Sequence, residues 1–159
     1  MTKAQLYTAL RTDLLTITGV QHVALWNNQV DREKEENPFL YPAIFIQFLP
    51  SEYRDLANKA TVQQYDMIVR LHICYESYED VDTGVLDLAD SVWQKVHKKQ
   101  YGDFGELLRR NEEQNFDHPN VQVYTQDYKT LGRDIKTSTL VEAEVSPVLI
   151  KSIIDITEA

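Results

Sequence analysis

The chain has 159 residues, 16 Lys+Arg against 25 Asp+Glu, a formal net charge of -9, and 43% hydrophobic and 26% charged residues. Those proportions belong to globular chains and exclude the disordered, collagen-like and disulfide-scaffold classes. The one cysteine, Cys74, excludes an intrachain disulfide and a cysteine-based zinc cluster.

The length predicts one domain over 1–159. Residues 1–80 carry 7 basic and 11 acidic side chains, and 81–159 carry 9 and 14, so neither half forms a basic arm or an electrostatic footprint for nucleic acid. Every apolar run falls short of the roughly 18 residues a membrane helix needs. The opening Met1-Thr2-Lys3-Ala4-Gln5-Leu6, followed by Tyr7, Arg11 and Asp13, is too polar for a signal-peptide core. A protein of the cell interior or of an assembled particle is expected, with no membrane partner.

Leu6, Leu10, Leu14 and Ile17 recur at helical spacing, which predicts an amphipathic first helix capped by Thr2 and ended by Gly19. Val20 to Trp26 is a strand candidate, and Asn27-Asn28-Gln29 a turn. The charged run Asp31-Arg32-Glu33-Lys34-Glu35-Glu36-Asn37-Pro38 has no apolar period, so about 27–38 is expected as an exposed acidic loop. Pro42 to Pro50 is a near-continuous apolar strand bracketed by prolines, placed centrally with both faces covered. A polar connection with room for one helical turn follows over 51–59.

The clearest strand covers 61–76. Tyr65, Met67, Val69, Leu71, Ile73 and Tyr75 share one face, and Gln64, Asp66, Arg70, His72 and Glu76 the other, interrupted only by Ile68 and Cys74. The apolar face belongs on a core, the polar one toward water or a partner. Val85, Leu88, Ala89, Val92, Trp93 and Val96 form the stripe of a second helix over 84–98. A short helical turn is expected at Glu106 to Arg110, and a strand beginning at Val121, Val123 and Thr125. The rest of about 99–139 is expected to be irregular. Leu140 to Val145 alternates as a final strand with Val141, Ala143 and Val145 inward, and Ile153, Ile154 and Ile156 add an extended segment. The order predicts an α+β fold, a mostly antiparallel sheet with two main helices packed on one face.

The search for chemistry returns little. His22, His72, His97 and His118 fall in four different elements, with no His-x-His, His-Glu-x-x-His or Cys-x-x-Cys spacing. Glu76, Glu79, Asp80, Asp82, Asp87 and Asp90 lack the spacing of a calcium loop and suit a solvated turn leading into a helix start. Cys74 sits in a strand and reads as a small hydrophobe. There is no Gly-x-Ser-x-Gly elbow and no glycine-rich phosphate cradle. Lys95, His97, Lys98 and Lys99 form a compact basic patch and Arg109-Arg110 a second, both explained by helix-end preference and solvation. No cofactor, metal or catalytic group is expected. Tyr41, Tyr53, Tyr101, Tyr124 and Tyr128 lie near expected element ends or loops, where aromatic residues serve interfaces as readily as cores.

The layout resembles the tail terminator, or tail completion, proteins of long-tailed bacteriophages and their prophage and gene-transfer relatives. The likeness rests on Leu6-Tyr7-x-x-Leu10-Arg11, Val23-x-Leu25-Trp26-Asn27 and Leu40-Tyr41-Pro42-Ala43-Ile44-Phe45-Ile46, followed by the long strand and the helix at 84–98. It is sharp over 4–49 and 61–98. The resemblance implies a structural, non-enzymatic role in the virion tail or neck, assembled in the bacterial host cytoplasm. A homohexameric ring would close the tail tube, meet the head-tail connector, and let DNA through only as passing cargo. Under it, the candidate subunit contacts are Asp31, Arg32, Glu33, Glu35 and Glu36 in the acidic loop, Arg70 and His72 on the polar strand face, and Tyr101, Arg109 and Arg110. Another head-tail neck component and a small monomeric or dimeric adaptor are the alternatives. An enzyme built on Arg70, His72 and Glu76 is a third.

Overall fold

In the computed structural model, the residues described are 1–31, 39–56, 62–76, 83–115 and 121–135. Helix α1, Lys3–Leu14, forms as its spacing predicts: Leu6, Leu10 and Leu14 point into the core and are fully buried. Thr2 caps it reciprocally with Gln5. The Gln5 N–H donates to Thr2 Oγ1 at 3.2 Å, and the Thr2 N–H donates to Gln5 Oε1 at 2.8 Å. The helix stops at Leu14, before Ile17, and the chain turns over through Gly19, whose φ of 91° is the left-handed conformation glycine tolerates.

Strands β1 (His22–Leu25) and β2 (Ala43–Phe48) pair in parallel. Every other pairing is antiparallel: β2 with β4 (Val62–Glu76), β3 (Glu52–Asp55) with β4, β4 with β6 (Val121–Ile135), and β5 (Leu108–Asn115) with β6. The six-stranded order is β1-β2-β4-β6-β5, with β3 beside β4 where β2 leaves off. Helix α2, Gly84–Val96, buries Val85, Leu88, Ala89, Val92 and Val96.

Both helices cover one face of the sheet. The main core joins the three α1 leucines and the α2 stripe to Ile44, Ile46, Tyr65, Met67, Val69, Leu71, Ile73 and Tyr128. The α+β class, the antiparallel bias and the helix packing follow the expectation. The opposite face, called outer below, carries a second, smaller cluster. Ala43, Phe45, Cys74 and Val123 are packed there by Trp26, Val30, Phe39 and Tyr41. Central β2 is therefore covered on both sides.

Three expectations are corrected. Residues 52–55 form β3 in place of a helical turn; all four are exposed, so no apolar period marked them, and the free edge of β4 beyond Val69 supplies their partner. Glu106 to Arg110 holds no helical turn. There Glu106 bridges Gln100, the Lys98 N–H donates to the Leu107 carbonyl, and β5 starts at Leu108 with a bulge between Arg109 and Asn111. The segment 99–139 is not irregular where it is described: it contains β5 and all of β6. Buried polar residues broke the alternation of β6, and the fold satisfies them. Gln126 Nε2 donates to the Ala89 carbonyl at 3.0 Å, Tyr128 Oη to Gln126 Oε1 at 2.8 Å, and Thr130 Oγ1 to the Gly105 carbonyl at 2.7 Å. The expected segments at 140–145 and 153–156 lie outside the described residues.

Candidate assembly surface

The outer face follows from register. Because directly opposed residues share a face, it runs in rows across the strands. Phe45–His72–Thr125–Glu113 lies above Gln47–Arg70–Asp127–Asn111; Glu52–Asp66–Leu131 and Arg54–Gln64–Arg133 follow, then Val62–Ile135 with Leu56 beside Val62.

The polar face of β4 is internally partnered at its upper end. The His72 ring lies flat under the Trp26 indole, centroids 3.9 Å apart, and its Nε2 is 2.8 Å from Gln47 Oε1. Arg70 donates through Nε and NH2 to the two carboxylate oxygens of Asp127, at 2.7 and 2.9 Å. The hydrogen bond to Asp127 raises the Arg70 pKa against the opposing effect of burial. Beside these groups lies a concavity of about 380 Å³, bounded by Trp26, Arg70, His72, Glu113, Gln114 and Asn115. Arg70 and His72 are thus tied to Asp127 and Gln47, and Thr125, which also lines the concavity, donates its hydroxyl to the Glu113 carbonyl at 3.3 Å. Cys74 is fully buried, and that burial pushes its thiol pKa up, away from the thiolate. Burial, with the nearby charge of Arg11, holds His22 below its ordinary pKa.

The lower end is open. Lys129 pairs with Asp66 at 2.9 Å on the surface, and Leu56 and Ile135 are 53% and 73% exposed at the tip of the β3–β4–β6 ribbon.

The sequence-expected contact residues scatter. Asp31 ends a single 3₁₀ turn, Gln29–Asp31, while Arg32, Glu33, Glu35 and Glu36 lie outside the described residues. Arg70 and His72 share the upper outer face. Tyr101 is a core residue at 5% exposure and presents almost no surface. Arg109 turns to the helix side, over the Trp93 ring at 5.1 Å, with its NH1 2.7 Å from Glu112. Arg110 is exposed at the β5 bulge. Sequence reasoning missed Trp26 and Asp127 as the partners of His72 and Arg70, and missed the ribbon tip. The alternation of 61–76 was a signal for the face, but the register that selects its partners is a long-range property.

Among the described residues, no group of three or more His, Cys, Asp or Glu could hold a metal ion, and no helix is long and apolar enough to cross a membrane. No family model matches the chain, and no curated protein matches it. A chain of the solved structure titled "Virion of native gene transfer agent (GTA) particle" is similar in fold at 9% identity with a TM-score of 0.48, covering 79% of this chain and 84% of that one.

Proposed function

We propose that this chain is a non-enzymatic structural protein of a phage or prophage virion, which closes the tail tube as a homohexameric ring and meets the head-side connector. The observation that carries the reading is element order. A leucine-striped helix, a short strand ending at Trp26, a Pro-bounded strand, a long strand and a second helix follow one another as in the tail-terminator layout that the sequence resembles. An outer sheet face bearing no helix among the described residues supports a role in contact, and the partnering of Arg70 and His72 argues against their use in catalysis. DNA meets such a ring only in passing, and a net charge of -9 disfavours its retention.

Light scattering coupled to size exclusion, over a wide concentration range and with purified tail tubes added, tests this. A species near six times 18.5 kDa, or tube ends saturated by the protein, is expected. A chain that stays monomeric and ignores tube ends overturns the terminator. Binding to the portal-side neck alone would assign it to another neck position.

A further inference from the structure

The concavity on the outer face is a trough, and its walls follow from register. Thr125 of β6 stands directly opposite His72 of β4 on one side and Glu113 of β5 on the other. The Trp26 indole lies over His72, so it and the Glu113 side chain flank β6 from strands whose backbones are about 10 Å apart. Val123 and Thr125 line the space between them. The Arg70–Asp127 pair stands in the next row, at one end. A volume of about 380 Å³ is near the lower end of the roughly 300–1,000 Å³ of ligand sites, with room for one long side chain.

The charges of the trough do not cancel. Arg70 gives Nε and NH2 to Asp127, and the two are neutral as a unit. Glu113 is exposed, and its carboxylate has no hydrogen bond or ion pair among the described residues. Its charge nevertheless reaches Arg70, adding to that of Asp127 in raising the Arg70 pKa. One carboxylate is therefore in excess, which draws a cation and repels an anion. The lining is also divided. Trp26 and Val123 offer apolar surface, while Glu113 and the Gln114 amide offer oxygen acceptors. An apolar wall leading to acceptors suits a long aliphatic stem with a charged head. Arginine fits better than lysine, because its planar fork can meet both carboxylate oxygens and an amide oxygen at once.

We infer that this trough receives an arginine side chain presented by a partner protein, with Glu113 as its counter-ion. The inference rests on the assembly role proposed above and names the chemistry of the partner that the outer face takes. A net charge of -9 on the chain favours the approach of such a basic partner.

The experiment titrates the full-length chain with N-acetylarginine amide at pH 8, where free imidazole is neutral. The chain has two tryptophans, so the fluorescence of Trp26 is followed in a Trp93→Phe background. N-acetylcitrulline amide, close in shape but uncharged, and N-acetylglutamate amide are the comparison probes. The expected result is a saturable change with the arginine probe. It should weaken about tenfold or more with the citrulline probe, and equally in Glu113→Gln. Equal responses to the arginine and citrulline probes, no saturable response to either, or an undiminished response in Glu113→Gln would overturn the inference. Tighter binding of the glutamate probe would make the trough an anion site and overturn it as well. So would a response that appears only in an Arg32→Ala/Lys34→Ala chain, since the chain's own side chains would then be the occupant. The titration needs no ring. Arginine binding by a chain that ignores tube ends leaves the site standing while the tail-tube reading fails, and a hexamer that ignores the arginine probe leaves the assembly standing while the site fails.

Discussion

The indole of Trp26 and the imidazole of His72 lie parallel to within 5°, closing the outer face of β4 just beyond the end of β1. The stack shields the His72–Gln47 hydrogen bond from water, and Trp26 also meets the Phe45 edge. Replacing Trp26 with Ala removes partly buried ring area and wets that bond. A loss of about 2 kcal/mol is expected, below the 3–5 of a fully buried tryptophan, measured by urea unfolding. A loss under about 0.5 kcal/mol would contradict the shielding role.

Arg70 and Asp127 form a two-point ion pair with side chains 31% and 11% exposed. Breaking it from the Asp127 side leaves a partly buried guanidinium without its acceptor. Asp127→Asn should therefore cost roughly 1–3 kcal/mol. A double-mutant cycle with Arg70→Met should return a coupling of about 1 kcal/mol or more. A coupling near zero would place the pair with ordinary surface salt bridges.

The fold was legible wherever apolar spacing was regular. Leu6, Leu10 and Leu14 announced α1, the odd residues from Tyr65 to Ile73 announced β4, and Val85 to Val96 announced α2. It was illegible where burial falls on polar groups or where a strand buries nothing. Gln126, Asp127 and Thr130 are buried in β6 and look like loop residues in the sequence, while 110–114 in β5 and 52–55 in β3 are exposed throughout. The outer face was half legible. Arg70 and His72 were visible as one strand's polar side, but their partners come from 57 and 25 residues away through sheet register. Tyr101 was misplaced because an aromatic residue near an element end gives no sign of the core beneath it.

Gly132 lies beside the buried ring of Tyr65. A Cβ at that position would sit 2.4 Å from the ring, which is itself held by Tyr53 at 4.8 Å and Phe104 at 6.5 Å between centroids. Gly132→Ala is thus an overpacking substitution, expected to destabilise by about 1–3 kcal/mol in thermal or urea unfolding. The same change at Gly19 meets no atom within 4 Å and tests backbone strain alone, through its positive φ.

Asp13 accepts a 2.5 Å ion-paired hydrogen bond from Lys99, fastening α1 to the segment after α2. Burial pushes the carboxyl pKa up, but the Lys99 hydrogen bond and the charges of Lys99 and Lys95 outweigh it, holding the group below its ordinary 3.8. A folded-state pKa below the unfolded one stabilises above the unfolded value, and that stabilisation is lost as pH falls through the folded one. Asp13→Asn should be less stable than the parent at neutral pH. The gap should close as pH drops below 3.8, read from urea midpoints at several pH values. A gap that stays constant into acid would contradict the ion pair.

Strands β4 and β6 pair residue for residue along all 15 positions, from Val62↔Ile135 to Glu76↔Val121. At about 3.3 Å per residue such a ribbon spans close to 50 Å, more than twice an ordinary strand. Both helices bear on one side of it, and the Trp26 cluster on the other near one end. The ribbon therefore works as a ruler: the Leu56–Ile135 tip and the Trp26–His72 end are held at a fixed separation by the backbone ladder. Any two bodies gripped at those ends would inherit that spacing, with no hinge between them.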